Sequence, residues 1–160
     1  SKQISNKISN KTSNKISNKI SNKILKQMSD CCLRLLILGG IVMYALRGAI
    51  SVDSNTEEDI IKATKTLMKK VMEENNLQED DLVSIITSAT DDLDKAYPGK
   101  AIREIGYELT PILCLQEMKV EKSSSKMIRL LLHVNGEIDK NRANHQYLKK
   151  AKKLRPDLAD

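Results

Sequence analysis

A four-residue repeat, Ile-Ser-Asn-Lys, fills the chain from Ile4 to Lys23, with Thr12 in place of one isoleucine. A single apolar residue per repeat, flanked by polar and charged groups, cannot bury enough surface to offset the entropy lost on folding. Serine and asparagine at half of the positions also disfavour a helix. We therefore predict that the repeat is disordered and that residues 43–160 supply the hydrophobic core.

A short apolar run, Leu35–Leu46, follows the repeat and ends at Arg47. A lysine-rich start before an apolar run is typical of signal peptides and membrane anchors. This run is shorter than the roughly 20 residues that span a bilayer, and no small-residue cleavage site follows it. We favour the interpretation that residues 1–42 are translated upstream sequence. Gly39-Gly40 can be encoded by GGAGG, which resembles a bacterial ribosome-binding site, shortly before the codon of Met43.

The formal charge of +6 belongs to this N-terminal segment. Residues 1–42 hold eight of the 27 basic residues and one of the 21 acidic residues, which leaves 19 basic and 20 acidic residues in 43–160. With that balance, four Tyr and no Phe or Trp, we predict no nucleic-acid partner. The three cysteines, two of them adjacent, match neither a disulfide framework nor a metal-ligand spacing. They favour a reducing, cytoplasmic setting. The shortness of the apolar run Leu35–Leu46 leads us to predict no membrane partner.

Apolar periodicity in residues 43–160 alternates between strand and helix. Alternating or β-branched runs predict strands at Met43–Val52, Leu82–Ser88, Thr110–Met118 and Met127–Gly136. Helical spacing predicts a long helix capped by Thr56 with an apolar stripe from Ile60 to Met72, and two others at Pro98–Ile105 and Asp139–Lys153. This order predicts an α/β (α+β) fold, a mixed β-sheet flanked by helices, whose aliphatic strands favour further burial in an oligomer.

Arginines recur along this domain, and a Cys-x-x-Glu segment lies between two of them. Arg47, Arg103, Arg129 and Arg155 are the arginines, and Cys114-Leu115-Gln116-Glu117 is the segment. Arginine pairs carboxylates bidentately and keeps its charge when partly buried. Several guanidinium groups, one carboxylate and no obvious nucleophile suit the binding of a compact dianion that also carries a hydroxyl group.

Short motifs follow one another at near-constant spacing through the domain. They are Leu46-Arg47-Gly48-Ala49, Asn55-Thr56-Glu57-Glu58, Ala89-Thr90-Asp91-Asp92-Leu93, Pro98-Gly99-Lys100-Ala101-Ile102-Arg103-Glu104, Cys114-Leu115-Gln116-Glu117-Met118, Ile128-Arg129, Tyr147-Leu148 and Leu154-Arg155-Pro156-Asp157-Leu158. Each motif alone is a weak signal, but all of them in this order are specific. By this pattern residues 43–160 resemble the AroH-class chorismate mutases, the small trimeric monofunctional type.

The resemblance implies a homotrimer with a barrel-like core of sheets, active sites at subunit interfaces and no cofactor or metal. It also implies the conversion of chorismate to prephenate, an intramolecular Claisen rearrangement in aromatic amino-acid biosynthesis. No bond to the enzyme forms in this reaction. The protein therefore has to hold a compact diaxial conformer and stabilise charge on the breaking ether oxygen.

Roles for single residues also follow from the resemblance. Arg129 would face the ether oxygen and a carboxylate, and Arg47 would pair a substrate carboxylate. Glu117, with Cys114, would bind the ring hydroxyl, which requires the strand to end or bulge near Gln116, because residues three apart on a strand face opposite sides. The remaining residues would contact the enolpyruvyl carboxylate, line the mouth of the site or close over it: Tyr147, Tyr97, Lys100, Arg103 and Arg155.

Each role has a structural alternative. Cys114 on an apolar strand is by itself typical of a buried core thiol. Arg129 interrupts an apolar run, where a charge is costly unless paired, so a buried ion pair competes with a functional role. The other site residues are ordinarily packing or surface groups, His133 is interpreted as structural, and His145 is left without a role. The alternative function is a non-catalytic trimer that binds a small dicarboxylate.

Overall fold

The computed structural model describes residues 42–138 and 142–158, and the predictions for residues 1–41 lie outside this part. Within it, five strands form one sheet: β1 Met43–Ser51, β2 Leu82–Ala89, β3 Ile112–Gln116, β4 Met127–Asn135 and β5 Gln146–Leu148. Their order across the sheet is β3-β2-β4-β1-β5. β4 runs antiparallel to β1 and β2, whereas β3 and β5 are parallel to β2 and β1. The predicted mixed sheet is confirmed.

A long helix, α1 (Glu57–Glu74), covers one face of this sheet. The Thr56 hydroxyl accepts a hydrogen bond from the Asp59 amide at 3.2 Å, which caps the helix as predicted. Its buried stripe includes Ile60, Leu67 and Val71, which join the sheet in one hydrophobic core. The contact is closest at Gly48 of β1, where an added Cβ would lie 3.1 Å from atoms of Leu67 and Val71. A larger residue would have to displace these side chains by a few tenths of an ångström, so the close approach of the helix favours glycine.

Shorter helical segments complete the described fold. They are α2 (Pro98–Arg103) and two 3₁₀-helices, Glu79–Asp81 and Lys149–Leu154. The predicted helix Asp139–Lys153 is wrong over its described part, because Gln146–Leu148 forms β5 and only a 3₁₀-helix follows. β5 pairs with the backbone groups at the edge of β1, which would otherwise lack partners, with Gly48 beside Gln146 and Ala49 beside Tyr147. The positive φ of Lys149, 53°, then breaks the chain direction between the two elements.

Strand register assigns each sheet residue to a face. Arg129 of β4 pairs with Ser88 of β2 and with Ala49 of β1, and these pair in turn with Leu115 and Tyr147. Residues paired across strands share a face, so this row lies on the side opposite α1, which we call the open face. A second, smaller apolar cluster covers one end of the open face, and its buried members are Ala49, Met127, Tyr147 and Ala151.

The Ala89-Thr90-Asp91-Asp92-Leu93 motif fixes the start of β4. The Asp92 carboxylate accepts the Lys126 amide at 2.9 Å, and the Thr90 hydroxyl accepts the Met127 amide at 3.0 Å. The Thr90 hydroxyl also donates to Asp92. Burial makes the largest single contribution to the pKa of Asp92 and raises it, but hydrogen bonds from Thr90 and Lys126 outweigh burial, so the pKa lies below its ordinary value.

We expect Asp92→Asn to lower the free energy of unfolding by about 1 kcal/mol at pH 7 and to flatten its dependence on acid pH. A carboxyl group with a lowered pKa in the fold stabilises it fully above the ordinary pKa of about 3.9. That stabilisation is lost as the pH falls through the lowered value. Urea unfolding between pH 7 and pH 2, at one protein concentration, measures both effects.

Asp91→Asn is the matched control for Asp92→Asn. Asp91 is exposed and forms an ion pair with Lys119 at 3.0 Å, and such surface pairs contribute little to stability. Its acid dependence should therefore follow that of the unchanged chain. Identical acid dependence in both variants would contradict the role given to Asp92.

Candidate active site

Arg129 and Glu117 form an ion pair at the end of β3. Arg129 Nη1 contacts Glu117 Oε1, and the two side chains are only 22% and 25% exposed. Glu117 reaches this position because β3 ends at Gln116, as predicted, while the Glu117 amide still donates to the Ala89 carbonyl oxygen at 2.8 Å. The charge on β4 is therefore partly compensated, which is how a guanidinium group is tolerated between Ile128 and Leu130.

Arg47 and Tyr147 adjoin this ion pair. Burial, followed by the charge of Arg47, lowers the pKa of Arg129, while Tyr147 acts in the opposite direction. An arginine stays protonated in a protein, so Arg129 is a partly desolvated cation with a second cation, Arg47, near it. Such a site favours the binding of an anion.

Two buried oxygen atoms at this place have no hydrogen-bond partner within the described ranges: the Tyr147 hydroxyl and Glu117 Oε2. Leaving a buried polar group unpaired costs about 1–3 kcal/mol, so native proteins seldom leave one without a reason. Arg129 Nη1 likewise makes no hydrogen bond, although it contacts Glu117. A ligand with both donors and acceptors would satisfy all three atoms.

Arg155 lies on the same side of the molecule. Its guanidinium group donates three hydrogen bonds to Asp157: Nε to Oδ1 at 2.9 Å, Nε to Oδ2 at 3.2 Å and Nη2 to Oδ2 at 2.7 Å. The hydrogen bond with Asp157 raises the pKa of Arg155, and Tyr147 makes a smaller contribution in the same direction. Arg155 is thus close to Tyr147, but its guanidinium group is already paired with the Asp157 carboxylate.

Cys114 and Tyr97 belong to a second group of residues. Both line a cavity of about 270 Å³ at the β3 edge, beside the start of α2. Cys114 pairs with Thr87, so its side chain lies on the face that carries the helices, and a Cβ on Gly99 would come within 2.8 Å of its sulfur atom. Within one chain, Cys114 is therefore on the face opposite Arg129.

Lys100 and Arg103 also lie away from Arg129, on α2. Lys100 Nζ contacts Glu57 Oε1 at 2.5 Å, and the hydrogen bond with Glu57 raises the pKa of Lys100. Arg103 Nη1 donates to the carbonyl oxygens of Tyr107 and Glu108, at 2.6 and 2.7 Å. In one chain both cations have local partners, and the structure does not bring them to the Arg129 ion pair.

The nine candidate residues thus fall into two groups. We call the first the arginine group, which consists of Arg47, Glu117, Arg129, Tyr147 and Arg155. We call the second the cysteine group, which consists of Tyr97, Lys100, Arg103 and Cys114. No set of three or more His, Cys, Asp or Glu side chains placed to hold a metal ion occurs in residues 42–138 or 142–158. None of the helices in these ranges is long and apolar enough to span a bilayer.

One residue beside the arginine group was left without a role by the sequence. His145 Nδ1 accepts a hydrogen bond from the Arg47 amide at 3.2 Å. Its position two residues before Tyr147 is the only sequence signal for this placement, because alternate residues of an extended segment share a face.

Known proteins match this chain over the same region. The family model for chorismate mutase type I matches residues 43–158. The chain belongs to this family. Chorismate mutase AroH from Bacillus subtilis (strain 168) is 39% identical over 120 residues, which are 74% of this chain and 94% of the relative. Chorismate mutase AroH from Thermus thermophilus is 40% identical over 118 residues, which are 73% of this chain and 97% of the relative.

A solved structure agrees with the fold. A chorismate mutase from Clostridium thermocellum superposes with a TM-score of 0.67 at 43% sequence identity, and the match covers 68% of this chain and 97% of the other. The mixed sheet and its helices are therefore those of the chorismate mutase type I family.

Proposed function

We propose that this chain, as a chorismate mutase, converts chorismate to prephenate, and that the arginine group is where the rearrangement takes place. The observation that carries the assignment is the Arg129–Glu117 ion pair, with Arg47 beside it and two unpartnered buried oxygen atoms around it. Two guanidinium groups against one carboxylate leave an excess positive charge for a substrate with two carboxylates.

The chemistry requires no bond between protein and substrate. Arg129 donates to the ether oxygen, where negative charge grows as the bond to the ring breaks, and a donor fixed in a partly buried site stabilises that charge strongly. Arg47 holds a substrate carboxylate, which keeps the two reacting ends of the molecule together. Glu117 Oε2 accepts the ring hydroxyl, and the Tyr147 hydroxyl donates to the enolpyruvyl carboxylate.

A homotrimer with sites at subunit interfaces would complete this arrangement. Leu113 and Leu115 on β3 are 55% and 47% exposed, and Leu113 shares a row of the open face with Ile86 and Leu131. An exposed apolar strip on a sheet is typical of a surface that binds another protein. We propose that the open face of one chain meets the β3 edge of the next, so that the cysteine group at that edge adjoins the arginine group of its neighbour.

Residues 43–160 form the catalytic domain in this proposal, working in the cytoplasm in the biosynthesis of aromatic amino acids. Arg155 would close the site by exchanging Asp157 for a substrate carboxylate, since a bidentate fork can pair with either. No cofactor takes part.

The direct test follows chorismate by its ultraviolet absorbance with the purified full chain. Saturable loss of chorismate without an added cofactor is expected, with prephenate identified by its acid conversion to phenylpyruvate. A folded chain that binds chorismate without turning it over would instead support the alternative, a trimer that only binds a small dicarboxylate. Absence of both binding and turnover would contradict both functions.

A further inference from the structure

The amide of Arg47 is at the point where the pairing of β1 with β5 stops. β1 lies between β4 and β5, so its amides point alternately to the two neighbours. The β5 pairing covers Gly48 to Ile50. One residue earlier, the Arg47 amide donates to a side-chain atom, His145 Nδ1 at 3.2 Å, instead of to a backbone oxygen. A side-chain nitrogen thus takes the place of the next carbonyl in the ladder.

We propose that neutral His145 is a positioning residue that fixes the backbone of Arg47, and thereby the direction of its guanidinium group toward a substrate carboxylate. The inference rests on the proposed function, because it assumes that Arg47 binds that carboxylate. It adds a residue that makes no contact with the reacting atoms and acts through Arg47 alone.

The partner determines the proton arrangement of the ring. A backbone N–H can only donate, so Nδ1 of His145 has to carry a lone pair and the proton lies on Nε2. Protonation of Nδ1 would bring two donors face to face and break the hydrogen bond. It would also place a further positive charge beside Arg47.

The charged groups around His145 come from four segments. Arg47 is on β1 and Arg155 follows the last 3₁₀-helix, while Lys70 and Glu74 of α1 and Lys152 line the cavity that His145 borders. Burial, then the charges of Arg47 and Arg155, lower the pKa of His145. Glu74, which would oppose this, is bound to Lys70 at 2.5 Å. The ring is therefore neutral at pH 7, and it protonates only below its ordinary pKa of about 6.5.

His133 provides a matched comparison. Its Nδ1 lies 2.9 Å from the Ser84 hydroxyl, which can donate or accept, so that contact does not fix the position of the proton. Register places His133 on the open face, in line with Ala45, two residues along β4 from Leu131. The two histidines thus differ in the group that Nδ1 contacts: a backbone amide for His145 and a hydroxyl group for His133.

Nitrogen NMR of the imidazole rings tests the proton arrangement without any assay of activity. The chain has two histidines, so His133→Gln assigns both sets of signals in the full-length protein. At pH 7 we expect His145 to show a protonated Nε2 and an unprotonated Nδ1, with a titration midpoint below that of a free histidine. A proton on Nδ1 of His145 at pH 7 would overturn the inference.

Kinetics tests the effect on Arg47. His145→Leu removes the acceptor, and we expect KM for chorismate to rise about tenfold, the equivalent of one lost hydrogen bond, with kcat within about twofold. His145→Asn places an amide oxygen near the position of Nδ1 and should restore KM to within about threefold of the unchanged chain. An unchanged KM in His145→Leu, or a KM in His145→Asn as poor as in His145→Leu, would contradict a positioning role.

A pH series decides the matter if His145→Leu does not fold. KM of the unchanged chain should rise below pH 6.5 as His145 becomes protonated and the hydrogen bond breaks. His145→Asn should lack this rise in KM, and His133→Gln should keep it. The same shift in His145→Asn would overturn the inference. If the unchanged chain folds but does not turn over chorismate, the proposed function fails, and the NMR result still reports on His145 by itself.

Discussion

Arg129→Ala is expected to lower kcat by roughly 10²–10³-fold or more, the usual effect of removing one fixed donor from a developing charge. The side chain is held between two strands and against Glu117, so its position is set before substrate arrives. Water that fills the space would have to reorient during the reaction and would stabilise the ether oxygen far less. The substitution also leaves the Glu117 carboxylate without its cation, which adds repulsion toward a dianion.

Arg129→Lys should recover little of this loss. A lysine provides a point charge on a flexible stem, and it cannot contact Glu117, the ether oxygen and a carboxylate at once as a planar fork can. Initial rates over a range of chorismate concentrations, with thermal unfolding as a check on folding, measure both variants. Arg142→Ala, an exposed arginine outside the arginine group, is the control and should keep normal kinetics. Near-normal turnover in Arg129→Ala would show that the assignment is wrong.

Leu131→Glu is expected to abolish assembly and, with it, at least about 99% of the activity. Leu131 is on the open face between Ile86 and Arg47, in the middle of the apolar strip that we propose as the subunit interface. Burying a carboxylate in a largely apolar interface costs several kcal/mol, which is enough to dissociate an interface of ordinary size. The nearest cation is Arg47, the cross-strand neighbour, and pairing with it would withdraw Arg47 from the substrate. Each isolated chain would then keep its arginine group and lose the cysteine group of its neighbour.

Light scattering after size-exclusion chromatography, together with chorismate turnover, measures these two effects. Leu109→Glu makes the same chemical change at a side chain that is 89% exposed in a loop, and it should keep both the trimer and the activity. A Leu131→Glu variant that remains trimeric and active would remove the open face from consideration as the interface. An unchanged chain that is monomeric and fully active would contradict a shared site.

The sheet and its long helix could be predicted because their sequences are locally consistent. Thr56 caps α1 through a bond to Asp59, three residues on, and the apolar stripe from Ile60 has the helical period. The helix predicted at Asp139–Lys153 is wrong over its described part because β5 depends on the free edge of β1, a partner about one hundred residues away in the chain. Periodicity within a segment does not reveal a vacant edge elsewhere in the sheet.

The arrangement of the site was predictable only in part. Arg129 within an apolar run indicates a paired or functional charge. The end of β3 near Gln116 was expected on the premise that Cys114 and Glu117 reach the same hydroxyl group, whereas within one chain they belong to different groups. The division into two groups follows from strand register, which no single segment encodes. The contact of His145 with the Arg47 amide is still harder to predict. Backbone amides occur along the whole chain, so the sequence does not indicate which side chain one of them will contact.

Several motifs that carry the family resemblance stabilise the fold and take no part in the proposed chemistry. Asn55 and Asp94 bind each other through two contacts, from Asn55 Nδ2 to Asp94 Oδ1 at 2.8 Å and from the Asp94 amide to Asn55 Oδ1 at 3.1 Å. Thr90 and Asp92 fix the start of β4. A match at these positions therefore identifies the scaffold, and the activity has to be argued from the arginine group.

In the trimer that we propose, the placement of Arg129 and Cys114 on opposite faces of one chain has a genetic consequence. In a cell with two damaged alleles, one altered at Arg129 and the other at Cys114, the two kinds of chain would assemble together. Some interfaces in such mixed trimers would combine an intact arginine group from one product with an intact cysteine group from the other. Two alleles that are each inactive alone would then complement one another, whereas two defects within the same group would not.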